Sequence, residues 1–556
     1  MFFRIKKSGP RQYLQIVENR WEDGCSRQRV IATLGRADEL ATSGQLDSLL
    51  RSGARFADSV MVLSAAADGT APEIDRKVIG PPLVFERLWT KTGCRARIGS
   101  LLEGRRFEFP VERAVFLAVL HRLFVSGSDR HADQWHQRYA IEGTDNLVLH
   151  HAYRAMAWLG EELPAEQQTG ATPFAPRCVK DLVEEGLFAA QRDLFSELDL
   201  VFFDTTSIYF EGKGGQRIGR YGKSKDKRPD RRQMVVGMVL DGRGRPICCE
   251  LWPGNTTDVS TLLPIADRLG LRFGIRRVCI VADAGMISAK TKSELETRGW
   301  AYILAARMRN QKEVRDDVLG RAGRYRVVRP ERECAKDPSP LKVKEVRVAD
   351  RRYVVCLNEE HARKDAHDRE AILQALREQL RGGDKSLVGN KGYQRYLTAE
   401  GEKGKTFVID EAKIAQDARY DGKWVLSTNL DNLDAAEVAL KYKQLWMVED
   451  IFRTAKSILD TRPIYHKCDE TIRGHVFCTF LALVLRKALQ DALEEQGHVF
   501  EWKDVLADLN DLEDVHVVHQ DKHFVLRTEA RRTAGRVCQT VGVALPPTVR
   551  QLQAKP

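Results

Sequence analysis

Hydrophobic positions along this chain change period several times, and each change marks a different kind of element. Tyr13-Leu-Gln-Ile-Val and Arg29-Val-Ile-Ala-Thr flank Trp21-Glu-Asp-Gly, and Asp23-Gly24 suits a tight turn, so a β-hairpin is predicted over residues 13–34. Residues 60–75 are rich in Ala, Asp and Gly and read as a linker. From about 80 to 195 the apolar spacing is helical, as in the run from Val111 to Leu123, and Pro164, Pro173 and Pro176 punctuate its end.

Between 198 and 283 the apolar runs become short. Leu198-Asp-Leu-Val-Phe-Phe-Asp204 ends in a carboxylate, Gln233 to Leu240 is a second run, and Pro246 to Trp252 is a third. The turn Asp241-Gly-Arg-Gly244 makes the last two an antiparallel hairpin. A helix capped by Thr257 or Asp258 follows to about Leu269, and Arg277-Val-Cys-Ile-Val-Ala-Asp283 is a fourth strand that also ends in a carboxylate. The order strand, strand, strand, helix, strand is the start of a ribonuclease H-like fold. Residues 301–425 interrupt it with strand-like stretches at Lys342–Val348, Arg352–Leu357, near residue 405 and at Lys423–Thr428, and with a charged helix from Glu359 to Gly382. Asp434-Ala-Ala-Glu437 has the spacing of a capping box and opens a helix predicted to reach about Leu459, before Pro463. A second apolar helix runs from Ile472 to about Leu493.

The predicted fold class is therefore α/β: a ribonuclease H-like mixed-sheet catalytic core with a β-rich insertion domain, plus a largely helical N-terminal region. The expected divisions are 1–75 (hairpin and linker), 76–195 (helical, a DNA-binding region), 196–300 and 426–495 (the two parts of the core), 301–425 (the insertion) and 496–556 (a C-terminal region with no chemical signal). Several domains are in any case expected of 556 residues.

Composition narrows the function. The 89 Lys and Arg against 78 Asp and Glu give a net charge of +11, a sign that suits a polyanionic partner. Eleven cysteines, an odd number with no Cys-x-x-Cys pair, argue against a disulfide framework or zinc ribbon and for a reducing compartment. The first residues carry no apolar signal core, and the run Val476–Leu485 is half the length that spans a bilayer, so a cytoplasmic protein without a membrane partner is expected.

The candidate chemistry lies in three carboxylates. Asp204 and Asp283 end strands that should be neighbours, and hard divalent cations take such oxygen ligands. Two ions about 3.5–4 Å apart can activate an attacking oxygen and stabilise a leaving one. Asp204 could bridge the pair, with Asp283 and Glu449 each completing one site. Either Asp alone is equally a turn or cap residue. Tyr442, Glu449 and Lys456 recur every seven residues and so share one helix face, although Glu449-Asp450 with Arg453 is equally an exposed ion-pair pattern. A phosphatase reading of Asp204 fails because Thr206, not Asp, stands two residues on.

Taken in order, these pieces resemble the insertion-sequence transposases of the IS4 superfamily, and more narrowly the IS1634-like group. The family signature on the glutamate helix (Tyr, two residues, Arg, three residues, Glu, six residues, Lys) is matched by Tyr442, Glu449 and Lys456, while Leu445 replaces the arginine. Trp446-x-x-Glu449-x-x-Phe452-Arg453-x-x-Lys456 looks like the subgroup's version, with Arg453 or Lys443 as substitutes for the missing arginine's phosphate contact. Asp204-Thr-Thr, Asp283-Ala-Gly-Met, Pro253-Gly-Asn-Thr-Thr-Asp258 and Gly222-Lys-Ser-Lys-Asp-Lys-Arg-Pro-Asp230 resemble further family blocks. The resemblance implies a DDE transposase with Asp204, Asp283 and Glu449 as catalytic and metal-binding residues, two Mg²⁺ ions with Mn²⁺ tolerated, and cut-and-paste transposition by a dimer that pairs two element ends. Its partners would be the terminal inverted repeats and target DNA, both double-stranded. Tyr442, Trp446, Arg453 and Lys456 are candidate DNA contacts, joined by Lys223, Lys225, Lys227 and Arg228 of a basic connection. That connection, residues 213–232, holds nine basic and two acidic residues, so 9 − 2 = +7 of the chain's +11. Two rivals share these features: a ribonuclease H-like nuclease or resolvase without strand transfer, and a catalytically silent, transposase-derived DNA-binding protein.

Overall fold

The computed structural model describes residues 2–22, 25–46, 73–125, 127–172, 175–191, 200–275, 278–334, 337–382, 391–400, 406–457, 461–519 and 522–552. They divide into two compact units. One unit contains residues 1–77, 513–529 and 546–556, and the other contains 78–512 and 530–545.

In the first unit, β1 (Phe2–Ser8), β2 (Arg11–Glu22) and β3 (Cys25–Arg36) form an antiparallel meander. The predicted hairpin is its β2–β3 half, with Glu22 opposite Cys25; the Asp23-Gly24 turn and most of the 60–75 linker lie outside the described residues. β1 was not foreseen. Its side chains, Phe2, Phe3 and Ile5 among them, are mostly exposed, so it carries no in–out alternation for a sequence pattern to register. The N-terminal region is thus not helical throughout: it opens with strands, and β4 (Glu73–Val78) closes the part before residue 80. Helices then occupy 80–91, 94–102, 111–124, 129–135, 149–159 and 179–191 in the second unit. Helix Val111–Phe124 is buried along nearly its whole length, packed against helices Leu149–Leu159 and Asp469–Glu495.

The second unit is organised by one nine-stranded sheet. β5 (Leu200–Tyr209), β6 (Gln233–Asp241) and β7 (Pro246–Pro253) form the antiparallel meander; β8 (Cys279–Ala282) and β9 (Ala301–Ala305) add in parallel on the other side of β5. Helices Leu262–Phe273 and Ala289–Thr297 make the crossovers. The order β7-β6-β5-β8-β9 is that of a ribonuclease H-like mixed sheet.

The β-rich segment corrects one expectation. Residues 301–305, assigned to the insertion, are the fifth core strand, and β10 (Arg326–Arg329), β11 (Leu341–Val348) and β12 (Arg351–Leu357) do not close on themselves. They continue the same sheet through β15 (Lys423–Thr428), which pairs antiparallel with β9. Among the described residues, only β13 (Leu397–Glu400) and β14 (Thr406–Ile409) of this segment form a separate ribbon, beside helix Glu359–Gly382. The hydrophobic pattern marked the strands but cannot say which edge they join.

Side-chain alternation sorts the two faces of β5. Leu200 and Phe202 enter a core with Val438, Leu445, Val448 and Phe452, whereas Val201 and Phe203 enter one with Leu262, Ile265 and Leu269. The β5 region of the sheet is covered on both faces, as its parallel pairing with β8 requires. Back in the first unit, β16 (Glu513–His519), β17 (Lys522–Arg527) and β18 (Val549–Leu552) join β4 in a four-stranded sheet. Among the described residues, no helix is long and apolar enough to cross a membrane.

Candidate active site

Alternation along β5 places Asp204 on the same face as Leu200 and Phe202, the face covered by the 435–457 helices. Thr205 falls on the other face, where its hydroxyl donates to Asp258 Oδ1 at 2.7 Å. The backbone N–H of Thr205 donates to Asp204 Oδ1 at 2.6 Å and fixes that carboxylate. Asp283 follows the last residue of β8 and leads into a short turn closed by a bond from the Met286 N–H to the Asp283 carbonyl at 3.1 Å. Arg307 buttresses that turn by donating to the carbonyls of Ala284 and Gly285 at 2.9 and 3.0 Å.

The glutamate helix differs from its predicted form. Helix Ala435–Lys443, opened by the reciprocal Asp434–Glu437 capping box, ends before Gln444, and a second helix runs from Trp446 to Ser457. Three-residue turns join them: Leu445 N–H donates to the Tyr442 carbonyl and Val448 N–H to the Leu445 carbonyl, at 2.9 and 3.0 Å. Leu445 sits at this joint, buried in the core at 6 % exposure. The residue that departs from the family signature is thus an apolar anchor at the joint.

Despite the break, Tyr442 ties the pieces together. Its hydroxyl donates to Asp283 Oδ1 at 3.2 Å. Burial raises the pKa of the phenol well above the usual tyrosine value, and the charges of Asp283, Glu449 and Asp204 push it further the same way. All three carboxylates therefore lie within electrostatic reach of one phenol. Glu449 and Asp283 are exposed and Asp204 is half-buried, so the site opens to solvent along one side. Burial pushes the Asp204 carboxyl up to about 6; Asp283 and Asp258 add to the rise, while Lys225 and the Thr205 N–H oppose it. A buried carboxylate beside others of its sign has unmet need for positive charge, and the donor set, all oxygen, fits a hard divalent cation.

The basic connection is held in place. Lys225 N–H donates to Ser207 Oγ at 2.7 Å, and Ser224 Oγ accepts from the Arg228 N–H at 3.1 Å. Tyr221, Lys223 and Lys227 are exposed while Gly222, Ser224, Asp226 and Arg228 are less so, an alternation that sets Lys223 and Lys227 on the outer side, whereas the Lys225 ammonium turns inward to Thr205. Lys456 is not a free cation: it is 12 % exposed and its ammonium lies 2.8 Å from Asp226 Oδ1, an oxygen it shares with Arg462. Arg228 is bonded to Asp230 through two contacts of 2.9 Å. Arg453 is 70 % exposed and 3.7 Å from Asp450, and Lys443 lies over the Trp424 ring. Trp446 is exposed and lines a groove of about 650 Å³ with Arg486, Leu489, Val499 and Trp502.

Sequence reasoning did not place Asp258 or Arg307 in this site. In the sequence Asp258 was visible as a helix cap and as the last residue of the family-like block Pro253-Gly-Asn-Thr-Thr-Asp258, with no contact to Asp204 foreseen. A separate group, Asp129, His466 and His475, has ligand atoms within 4.8 Å of one another and could hold a metal ion. Arg122 donates to His475 Nδ1 at 3.0 Å and pairs with Asp129 at 3.4 Å, so a guanidinium already serves that group.

The family model for the transposase DDE domain matches residues 196–485, just over half of the chain. The chain belongs to the DDE transposase family. The model for the N-terminal domain of IS1634 family transposases also matches, at residues 3–67, which places this transposase in the IS1634-like group of the IS4 superfamily and in an enzyme family. A search of curated proteins finds no match. Among solved structures, one described as a cryo-EM structure of the piggyBac transposase synaptic complex with hairpin DNA aligns at 11 % identity. That alignment covers 78 % of this chain and 79 % of that one with a TM-score of 0.37, a likeness too low to carry weight for fold or function.

Proposed function

We propose that this transposase cuts phosphodiester bonds at the ends of an insertion sequence and joins the freed ends to target DNA. Asp204, Asp283 and Glu449 are the catalytic carboxylates and hold two Mg²⁺ ions, with Mn²⁺ tolerated. The observation that carries this reading is the gathering of those three carboxylates around the Tyr442 hydroxyl, on an open side of the molecule. The substrate is double-stranded DNA in the cytoplasm, both the terminal inverted repeats and the target, and a homodimer pairs the two ends.

Each residue has a task that its contacts support. Asp204 is oriented by the Thr205 N–H, and Tyr442 holds one oxygen of Asp283, leaving the other to a ligand. Asp226, clamped by Lys456 and Arg462, anchors the connection that carries Lys223, Lys225 and Lys227, whose charges suit phosphates on either side of a scissile bond. Bound divalent ions supply the charge neutralisation that in-line displacement at phosphorus needs. Phosphate contacts fall to the exposed lysines rather than to Lys456, whose charge is already met by Asp226.

Asp204→Ala, Asp283→Ala and Glu449→Ala test the assignment on a duplex carrying the element's terminal repeat. Each is expected to lower Mg²⁺-dependent cleavage by roughly a hundredfold or more while retaining DNA binding. Full cleavage by any one variant removes that residue from the site. Cleavage by the wild-type chain without joining to target would leave a nuclease in place of a strand-transfer enzyme.

A further inference from the structure

The side chain of Lys225 runs against the pattern of its neighbours. Lys223 and Lys227 are exposed on either side of it in the basic connection. The Lys225 ammonium instead folds inward: Nζ lies 2.6 Å from the Thr205 carbonyl oxygen, 3.0 Å from Thr205 Oγ1, 3.4 Å from Asp258 Oδ2 and 3.9 Å from Asp204 Oδ1. A carbonyl, a hydroxyl and two carboxylates around one cation form an all-oxygen set of the kind a hard divalent ion also takes.

We propose that Lys225 is the built-in counter-cation of the Asp204–Asp258 carboxylate pair, and that a divalent ion entering the site displaces its ammonium, which then joins Lys223 and Lys227 on the outer side of the connection. The inference rests on the metal-dependent reading given above and adds two roles to it. Asp258 becomes a fourth carboxylate that positions charge beside Asp204, and Lys225 becomes the group that couples ion loading to phosphate binding.

The anchoring around Lys225 allows this exchange. Its backbone N–H is bound to Ser207 Oγ at 2.7 Å. The next residue, Asp226, is 5 % exposed and gripped by Lys456 and Arg462. The backbone therefore stays, and only the flexible four-carbon stem swings. A strongly hydrated ammonium at 37 % side-chain exposure has a short path to solvent. A divalent ion competes for the same oxygens with twice the charge. With the ammonium gone, Thr205 keeps its hydroxyl bond to Asp258, which holds that carboxylate toward the site.

The test uses the full wild-type chain. Mn²⁺ is titrated in while bound ion is followed by electron paramagnetic resonance, and the same samples are briefly acetylated and analysed by mass spectrometry at Lys223, Lys225 and Lys227. Without divalent ion, Lys225 is expected to acetylate several-fold more slowly than its two neighbours. At saturating Mn²⁺ it should reach their rate while theirs stay constant. Bound Mn²⁺ with an unchanged Lys225 rate overturns the displacement, whereas no bound Mn²⁺ overturns the metal-dependent reading and this inference with it. Lys225→Met supplies an independent measure: Mn²⁺ should bind roughly three- to tenfold more tightly once the competing cation is gone. Equal or weaker binding by that variant refutes the proposal.

Discussion

Asp204→Asn should make the ion-free protein more stable, not less. Burial is the main reason the Asp204 carboxyl sits at about 6 rather than near 3.8, with Asp283 and Asp258 adding to it against Lys225 and the Thr205 N–H. Below pH 3.8 the group is neutral in both the folded and unfolded chain and costs nothing. As pH rises through the interval to about 6, the unfolded chain ionises while the folded one still holds its proton, so stability falls, and above 6 the cost is complete. The interval corresponds to ~3 kcal/mol. The side chain is 21 % exposed, and solvent screening reduces the figure to ~1–2 kcal/mol. An amide keeps the shape and the bond from the Thr205 N–H but removes the charge. Thermal unfolding in EDTA at pH 7.5 should therefore show the variant about one to two degrees above wild type, and at pH 4 the two should nearly coincide. Added Mg²⁺ should raise the wild-type midpoint by mass action and leave the variant almost unmoved. A variant no more stable than wild type at pH 7.5, or one with the same advantage at pH 4, would refute the electrostatic account.

Two further outcomes follow from other parts of the second unit. Arg272 is 1 % exposed and donates to Glu184, Glu185 and Glu250 at 2.6–2.8 Å, so Arg272→Met should destabilise that unit by ~3–5 kcal/mol in urea unfolding by stranding buried carboxylates; a loss below ~1 kcal/mol would mean the network is dispensable. Replacing the exposed Lys223 and Lys227 with Ala should flatten the log–log salt dependence of duplex binding by up to about 1.8, at about 0.9 per phosphate contact. An unchanged slope there would show that the outer side of the connection does not hold DNA.

Much of the core was legible because its cues are local. The meander of β5, β6 and β7 announces itself through three short apolar runs and the Asp241–Gly244 turn, and the capping box at Asp434 fixes a helix start that the structure reproduces to the residue. What the pattern could not supply was partnership across sequence. β9 is five residues, Ala301–Ala305, with nothing to distinguish a parallel core strand from the start of an insertion. β10, β11 and β12 carry ordinary strand signals, and only the pairing of β15 with β9 makes them a continuation of the core sheet. β1 was hidden for the opposite reason, having almost no buried side.

In the site itself, periodicity could not foresee that the helix breaks. Seven-residue spacing put Tyr442, Glu449 and Lys456 on one stripe of an unbroken helix, yet the chain turns at Leu445 and the stripe is assembled from two helices. Charge was the harder quantity to read. A lysine two turns from Glu449 looks in sequence like a hand for phosphate, but Lys456 spends its charge on Asp226, a residue 456 − 226 = 230 positions away. Lys225, in a run that looks uniformly solvated, reaches back 225 − 205 = 20 positions to Thr205. Both contacts join the basic connection to the carboxylates, one from the helix side and one from the strand side. Lys456 and Arg462 thus fix the connection through Asp226, while Lys225 stands among the acids.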